Sequence, residues 1–140
     1  MAIDPQSHDL AATYLRLRGD MSIEPLPVGA DFWQRMAGGQ LGSFHNEYLV
    51  TTHHFDADWP FWEMHPQGDE VVAVLSGALT LVVETAAGER CIPLAGAGSF
   101  VVVPRGAWHT ARNVQACRLL FITAGENTQH RPLGDDAAVS

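Results

Sequence analysis

The chain has 140 residues, 46% of them hydrophobic, so one hydrophobic core suffices and a single domain is expected. Sixteen acidic residues face eight arginines and no lysine; the net charge of −8 repels nucleic-acid phosphates, and the missing lysine excludes Schiff-base and P-loop chemistry. The acidic charge therefore predicts no nucleic-acid partner. No apolar run reaches about 18 residues, so no membrane span is predicted.

Neither the N-terminal residues nor the cysteines indicate an extracellular protein. The first residues, Met1 to Pro5, form neither a basic nor an apolar signal region, which predicts a cytoplasmic location. Cys91 and Cys117 have no CxxC spacing, and two cysteines without a secretory signal are more often reduced thiols than a disulfide. We assign these thiols no function.

Residues 1–40 are predicted to form an N-terminal helical extension that packs on the barrel or on a dimer partner. Leu10, Tyr14 and Leu17 recur at helical spacing, and Ser7 or Asp9 is a candidate N-cap. This pattern predicts a first amphipathic helix over residues 7–19.

A second short helix is predicted to begin at Asp31. Gln34 follows Asp31 at the spacing of a capping box, and two glycines follow Met36. The helix is therefore expected to end near residue 37.

From about residue 41 to residue 125 the sequence has a strand pattern. Short runs rich in Val, Leu, Thr and Phe are separated by Gly, Pro and Asp, with turns at 76–77 and 86–89. So many strands without intervening helices predict an all-β sandwich or small barrel, and residues 126–140 are read as a polar tail. The predicted strands are Phe44–Phe55, Trp62–His65, Glu70–Leu75, Ala78–Glu84, Arg90–Leu94, Ser99–Val103, Trp108–Asn113 and Cys117–Thr123.

Four side chains in the barrel region are candidate metal ligands: Glu63, His65, Glu70 and His109. Because side chains alternate across a strand, Glu63 and His65 share one face, and Glu70 on the next strand can look into the same interior. Two imidazoles and two carboxylates would leave a bound divalent cation with no net charge, which removes most of the cost of burying it. Without Glu63, the set is the two-His, one-carboxylate set of a non-haem iron site.

Other interpretations of these residues stay open. His65, Glu70 and His109 would also suit a buried hydrogen-bonded network without metal, and Glu63 would suit a general base or an exposed carboxylate. His53 shares a strand face with hydrophobic residues and is the other candidate acid or base, although a surface histidine is the commoner case. The remaining histidines are expected at the surface: His8, His45 and His130.

The apolar residues of these strands fall on two faces. One set shares the strand parity of the candidate ligands and is expected to form a pocket wall, or else ordinary core: Phe61, Val72, Val74 and Ala111. The other set points away and would be a large apolar patch if left wet: Trp62, Met64, Val71, Ala73, Leu75 and Trp108. The N-terminal helix or a second subunit must therefore cover this face, and we predict a homodimer to which the N-terminal segment contributes.

Two motifs at fixed spacing give the chain a family resemblance. The pattern G-x5-H-x-H-x4-E-x6-G is matched by His65, Glu70 and Gly77, with Glu63 in place of the first His and Ala57 in place of the leading Gly. The pattern G-x5-P-x-G-x2-H-x3-N is matched in full by Gly98, Pro104, Gly106, His109 and Asn113. Over roughly Tyr48 to Thr123 the chain therefore resembles the cupin superfamily.

This resemblance implies a double-stranded β-helix, or jelly-roll, barrel that is commonly dimeric and binds iron, manganese, nickel or zinc. A carboxylate in place of an imidazole favours iron or manganese, while zinc and nickel remain open. The fold serves dioxygenases, isomerases and non-catalytic binders alike. The expected function is dioxygenase-like or isomerase-like transformation of a small polar molecule; the alternative is a ligand-binding or sensor barrel, with or without metal.

Overall fold

The computed structural model describes residues 4–134, and they form a predominantly antiparallel β structure. The elements in chain order are β1 (Thr13–Leu17), β2 (Ile23–Pro27), α1 (Phe32–Ala37), β3 (Tyr48–Phe55), β4 (Phe61–Met64), β5 (Glu70–Thr85), β6 (Gly88–Ala95), β7 (Phe100–Val103), β8 (His109–Ala124) and β9 (Gln129–Pro132). The prediction of an all-β, double-stranded β-helix barrel is confirmed. Within residues 4–134 no helix is long and apolar enough to cross a membrane.

Two long strands organise the barrel. β5 and β8 have 16 residues each and pair with one another, while β5 also pairs with β6 and β7, and β8 also pairs with β3 and β4. Each replaces two strands that the sequence predicted separately. The expected turn at Ser76-Gly77 is instead a set of register shifts between Val74 and Thr80, which bend the strand without ending it.

The predicted first helix is wrong. Residues Thr13–Leu17 form β1, which pairs with β2 in a hairpin and with β3 at the edge of the barrel sheet. A helix of this length is marginal by itself, whereas the free edge of β3 offers a row of backbone hydrogen bonds. Tertiary pairing therefore overrides the weak helical spacing of Leu10, Tyr14 and Leu17.

The second helix forms, at Phe32–Ala37, but without the predicted capping box. The Asp31 side chain makes no capping hydrogen bond and instead forms an ion pair with Arg35 at 3.3 Å. Phe32 is the buried residue of this helix and packs edge-on against Tyr14 of β1. The N-terminal segment thus covers part of the barrel through a small core of its own: Tyr14, Leu26, Phe32, Phe44 and Leu49.

The polar tail is also more ordered than its sequence indicated. Gln129–Pro132 forms β9, which pairs antiparallel with β4 and sets His130 opposite Glu63. The sequence of β9 has no hydrophobic period. The strand is held instead by backbone pairing with the edge of β4. Asp135 and Asp136, also assigned to the tail, lie outside the described residues.

The outer face of the sheet, which was expected to need a cover, exposes only some of its apolar side chains to solvent. Trp62 is buried, and two guanidinium groups lie over its ring, that of Arg131 at 5.2 Å and that of Arg112 at 5.7 Å from the ring centroid. Arginine side chains therefore cover Trp62, and the N-terminal helix expected in that role does not form. Farther along the sheet, Leu75 and Phe100 remain exposed.

Candidate metal centre

Three strands bring the four candidate ligands together inside the barrel. β4 carries Glu63, with His65 just beyond its end, β5 begins with Glu70, and β8 begins with His109. Glu63 and His109 are register partners, so the β4–β8 pairing alone sets one carboxylate beside one imidazole. One ligand atom from each of the four residues lies within 4.8 Å of the others.

The donor atoms converge on a common point. His65 Nε2 lies 3.0 Å from Glu63 Oε1 and 3.1 Å from Glu70 Oε2, and His109 Nε2 lies 3.0 Å from Glu70 Oε1. His109 Nε2 and Glu63 Oε1 are farther apart, at 3.9 Å. Glu70, His65 and His109 are buried, and Glu63 is partly exposed on the cavity side.

These short contacts are not satisfied hydrogen bonds. Nε2 of His65, Nε2 of His109 and Oε1 of Glu70 are all buried without a hydrogen-bond partner of acceptable geometry. Buried polar groups in proteins are nearly always paired, and leaving one unpaired costs about 1–3 kcal/mol. Atoms that are close together yet not aimed at one another fit a shared cation between them, so the donor set suits a divalent metal ion.

Without a cation, opposite charges within the cluster compensate one another. Burial by itself would lower the pKa of His65, but its contacts with the carboxylates of Glu63 and Glu70 raise that pKa to about 9. Burial would likewise raise the pKa of Glu70, but the imidazoles of His109 and His65 lower it to about 2. The metal-free cluster is therefore an ionised Glu70 beside a protonated His65.

The other ring nitrogens are oriented by hydrogen bonds that leave Nε2 free. Nδ1 of His65 lies 3.0 Å from Oγ1 of Thr128, and Nδ1 of His109 lies 3.1 Å from the carbonyl oxygen of Ala107. Both partners suit an Nδ1–H donor, so each imidazole, once neutral, carries its lone pair on Nε2. The hydroxyl of Thr123 donates to Oε2 of Glu70 at 2.6 Å. Neither threonine was identified from the sequence, because its role appears only once β8 and the chain before β9 are in place.

His130 was expected at the surface, and the structure places it beside the cluster. Its side chain is half-exposed, with Nε2 3.0 Å from Oε2 of Glu63 and the ring packed edge-on against Phe61 at 4.9 Å. The only sequence signal for this position was a histidine in a polar tail. Its placement follows from the pairing of β9 with β4.

A cavity of about 760 Å³ opens onto the cluster. Phe61 lines it, as do Glu63, His65 and Glu70. By contrast, Val72, Val74 and Ala111 were expected in the pocket wall but are fully buried in the closed barrel core. They share the ligands' strand parity, but parity fixes only the inward face and not the height along the barrel.

His53 also lines this cavity, as its strand parity slightly favoured. Its ring packs against Trp33 at 5.7 Å and against Phe121 at 5.6 Å. Burial lowers the pKa of His53, and the nearby Glu63 carboxylate only partly opposes this effect. The imidazole is therefore neutral at pH 7 and available to accept a proton.

Most of the cavity wall was not foreseen from the sequence. It is aromatic, and its members come from α1, β3, the chain before β4, and β8: Trp33, Phe55, Trp59 and Phe121. Phe55 and Trp59 are four residues apart, but Trp33 and Phe121 are far from them in the sequence, and the four share no motif. Only the closure of the barrel and the docking of α1 bring their rings to one space.

Comparison with known proteins agrees with the architecture. The family model described as Cupin domain matches residues 56–123. A cupin-2 domain protein from Shewanella frigidimarina shares 27% identity, with 54% of this chain and 68% of that chain covered and a TM-score of 0.43. Streptomyces PAC13 with uridine shares 14% identity, with 64% and 73% covered and a TM-score of 0.52, so it shows likeness of fold alone. No curated protein matches the chain.

The matched region contains β4 to β8 with all four candidate ligands, and its strands have the order of a double-stranded β-helix. Both motifs of the pair identified in the sequence lie within or next to these strands. Residues 56–123 of this chain therefore form a domain of the cupin superfamily.

Proposed function

We propose that this protein binds one divalent metal ion through Glu63, His65, Glu70 and His109 and transforms a small organic molecule that coordinates the ion. The observation that supports this most strongly is the convergence of buried donor atoms that lack hydrogen-bond partners. A purely hydrogen-bonded network would align these atoms with one another instead.

The donor set favours iron(II) or manganese(II) over zinc(II) or nickel(II). Two carboxylates and two imidazoles form a harder set than the imidazole-rich alternative, and four protein donors leave two positions of an octahedral ion for small ligands. When bound, such an ion supplies Lewis-acid polarisation of a substrate oxygen or, if it is iron, redox chemistry with dioxygen. A dioxygenase-like or isomerase-like reaction is consistent with both.

Residues of this chain supply the remaining functions of an active site. The aromatic walls of the cavity lower the polarity around the cluster, which strengthens its electrostatic interactions. His53 lines the cavity and is kept neutral by burial, which lowers its pKa, while His130 and Glu63 form a hydrogen-bonded pair at the cavity edge. Glu63 is a ligand in this proposal, so His53 is the stronger candidate for acid–base chemistry.

A non-catalytic barrel that binds a small ligand, as a sensor does, is the second candidate. The observation that favours it is the composition of the described cavity wall: beyond the four-residue cluster, His53 and His130 are its only side chains suited to acid or base chemistry. A binder needs a shaped apolar wall and no acid or base. Substrate turnover distinguishes the two candidates, since a binder releases its ligand unchanged.

The metal is tested first, by elemental analysis of protein purified without chelators or metal-affinity columns. We expect about one equivalent of iron or manganese per chain. His109→Ala should lose the ion while the circular dichroism of the barrel is retained, and His54→Ala, an exposed neighbour on β3, is the matched control. Full metal content in His109→Ala would contradict the proposal.

We also propose that the protein is a homodimer, joined through the outer face of β5 and β7. Val71 pairs with Val102 and Ala73 with Phe100. Val102 and Phe100 are exposed and Val71 and Ala73 partly exposed, so these side chains form one continuous apolar patch. Leu75 extends this patch along β5. Light scattering should give twice the chain mass for the wild type and a monomer for Phe100→Glu; a monomeric wild type at micromolar concentration would exclude the dimer.

A further inference from the structure

We propose that the cavity beside the metal cluster is a slot for a planar aromatic or heteroaromatic ring whose oxygen substituents reach the metal ion. This inference rests on the proposed function for the ion and adds the class of ligand. Its evidence is the arrangement of rings in the cavity wall, the polar groups already in use there and one unpaired donor.

The rings form an unbroken series from the cavity mouth to the cluster. Trp33 contacts His53 at 5.7 Å, and His53 contacts Phe121 at 5.6 Å. Phe121 contacts Trp59 at 6.1 Å, and Trp59 lies nearly parallel to Phe61, with an angle of 26° between the ring planes. Walls of this kind favour flat ligands, because ring faces and edges gain offset-stacked or edge-on contacts.

Trp59 connects the slot to the metal centre. Its ring contacts the candidate ligand His109 at 6.1 Å, and its indole Nε1–H is buried without a hydrogen-bond partner. A buried donor without an acceptor is costly in the free protein. A ligand with a ring oxygen or nitrogen near Trp59 would relieve that cost.

Few polar groups of the slot are left for a strongly hydrophilic ligand. Thr123 already donates to Glu70, and Thr128 already contacts His65. Beyond the cluster and the histidines, Thr51 and Asn127 are the remaining polar side chains of the described lining. The described lining contains no arginine. An anionic group on the ligand therefore has only the metal ion for compensation, which places that group at the cluster and the ring in the slot.

The inference is tested with three hydroxamates that carry the same chelating group. Benzohydroxamate has an aromatic ring, cyclohexanecarbohydroxamate has an aliphatic ring of similar size, and acetohydroxamate has none. Calorimetric titration into protein loaded with zinc(II) or manganese(II) should show benzohydroxamate binding roughly tenfold more tightly than its cyclohexyl analogue. The acetyl compound should bind more weakly than either.

Single substitutions show which residues cause the tighter binding of benzohydroxamate. Trp33 is 47% exposed at the cavity mouth, so Trp33→Ala should leave the barrel folded and weaken benzohydroxamate binding by roughly fivefold, with little effect on acetohydroxamate. Phe61→Leu, inside the slot, should act in the same direction. Phe100→Leu removes an exposed ring from the outer face, away from the cavity, and should change neither affinity.

Metal content is measured for every sample, which separates this inference from the proposed function. If the protein takes up no metal, the proposed function fails, and ring selectivity in metal-free protein that Trp33→Ala abolishes would still support the slot. If metal binds but the phenyl and cyclohexyl compounds bind equally, the inference is overturned. Tighter binding of tetramethylammonium than of benzohydroxamate would also overturn it and identify the rings as a cage for a cation.

Discussion

His130 Nε2 lies 3.0 Å from Oε2 of Glu63, and the two residues are register partners across the pairing of β9 with β4. The other oxygen of the same carboxylate, Oε1, lies 3.0 Å from His65 Nε2. Glu63 is thus held between an imidazole of the cluster and one from the C-terminal strand. β9 therefore contributes to the candidate metal centre although it is outside the cupin match.

This pairing predicts a specific effect of His130. His130→Ala should weaken metal binding by roughly tenfold, because a carboxylate freed from its hydrogen-bond partner is less well oriented toward the ion. Competition with a chromophoric chelator measures the affinity, and His130→Gln, which retains a side-chain donor, should recover part of the loss. His45→Ala, which removes another exposed histidine, is the control; equal affinities in all variants would show that Glu63 needs no support.

Metal affinity should depend on pH well above the usual range of histidine. The carboxylates of Glu63 and Glu70 raise the pKa of His65 to about 9 against the burial that would lower it, so its proton must leave before Nε2 can bind an ion. The apparent affinity should therefore fall about tenfold for each pH unit from pH 8 to pH 6. Titrations that give one constant affinity over this range would contradict ligation by His65.

The stability of the metal-free protein should have its maximum in mildly acidic solution. The pKa of His65 is raised from 6.5 to about 9, so its contribution is complete below pH 6.5 and is lost as the pH rises through 9. The pKa of Glu70 is lowered from 4.5 to about 2, so its contribution is complete above pH 4.5 and is lost as the pH falls through 2. Both contributions are therefore complete only between pH 4.5 and pH 6.5.

Thermal unfolding followed across pH 3 to 9 checks this prediction. The Tm of metal-free protein should decline above pH 6.5, and His65→Gln should flatten that decline. A Tm that rises steadily from pH 6 to pH 9 in metal-free wild type would show that His65 gains no stabilising proton on folding.

Substitution at Gly77 should be more destabilising than substitution at Gly106, although the two glycines have the same positive φ. Gly77 and Gly106 both have φ of 80°, but a Cβ at Gly77 would lie 2.4 Å from the carbonyl oxygen of Ala116, whereas nothing lies within 4 Å at Gly106. Gly77→Ala combines left-handed strain with a backbone clash and should lower the free energy of unfolding by about 3 kcal/mol or more. Gly106→Ala carries the strain alone, at about 1–2 kcal/mol.

Chemical denaturation measures both values. The difference between the two variants isolates the close approach of β5 to β8 at Gly77, since the conformational strain is common to both. Equal losses would mean that β8 moves away freely and that this crossing is not tightly packed.

The sequence was most informative where strands are continuous and motifs have fixed spacing. Glu63, His65, Glu70 and His109 were identified together because alternation along a strand and a double motif constrain them jointly. The first helix was wrong for the opposite reason: three residues at helical spacing, Leu10, Tyr14 and Leu17, carry little free energy compared with pairing to the edge of β3. Val72 and Val74 were assigned to the cavity wall but lie in the barrel core. Strand parity predicts that a side chain points inward, but it does not predict at which height along the barrel the side chain lies.

The sequence by itself determined the β architecture, the four candidate ligands and the acidic character of the chain, since these depend on residue type and on period along one strand. Only the tertiary structure decided that His130 contacts Glu63, that Thr128 and Thr123 orient the cluster, and that the rings of Trp33, Trp59 and Phe121 share one cavity. These contacts join segments far apart in the chain. Their distances are set by strand register and barrel closure, which no local pattern encodes.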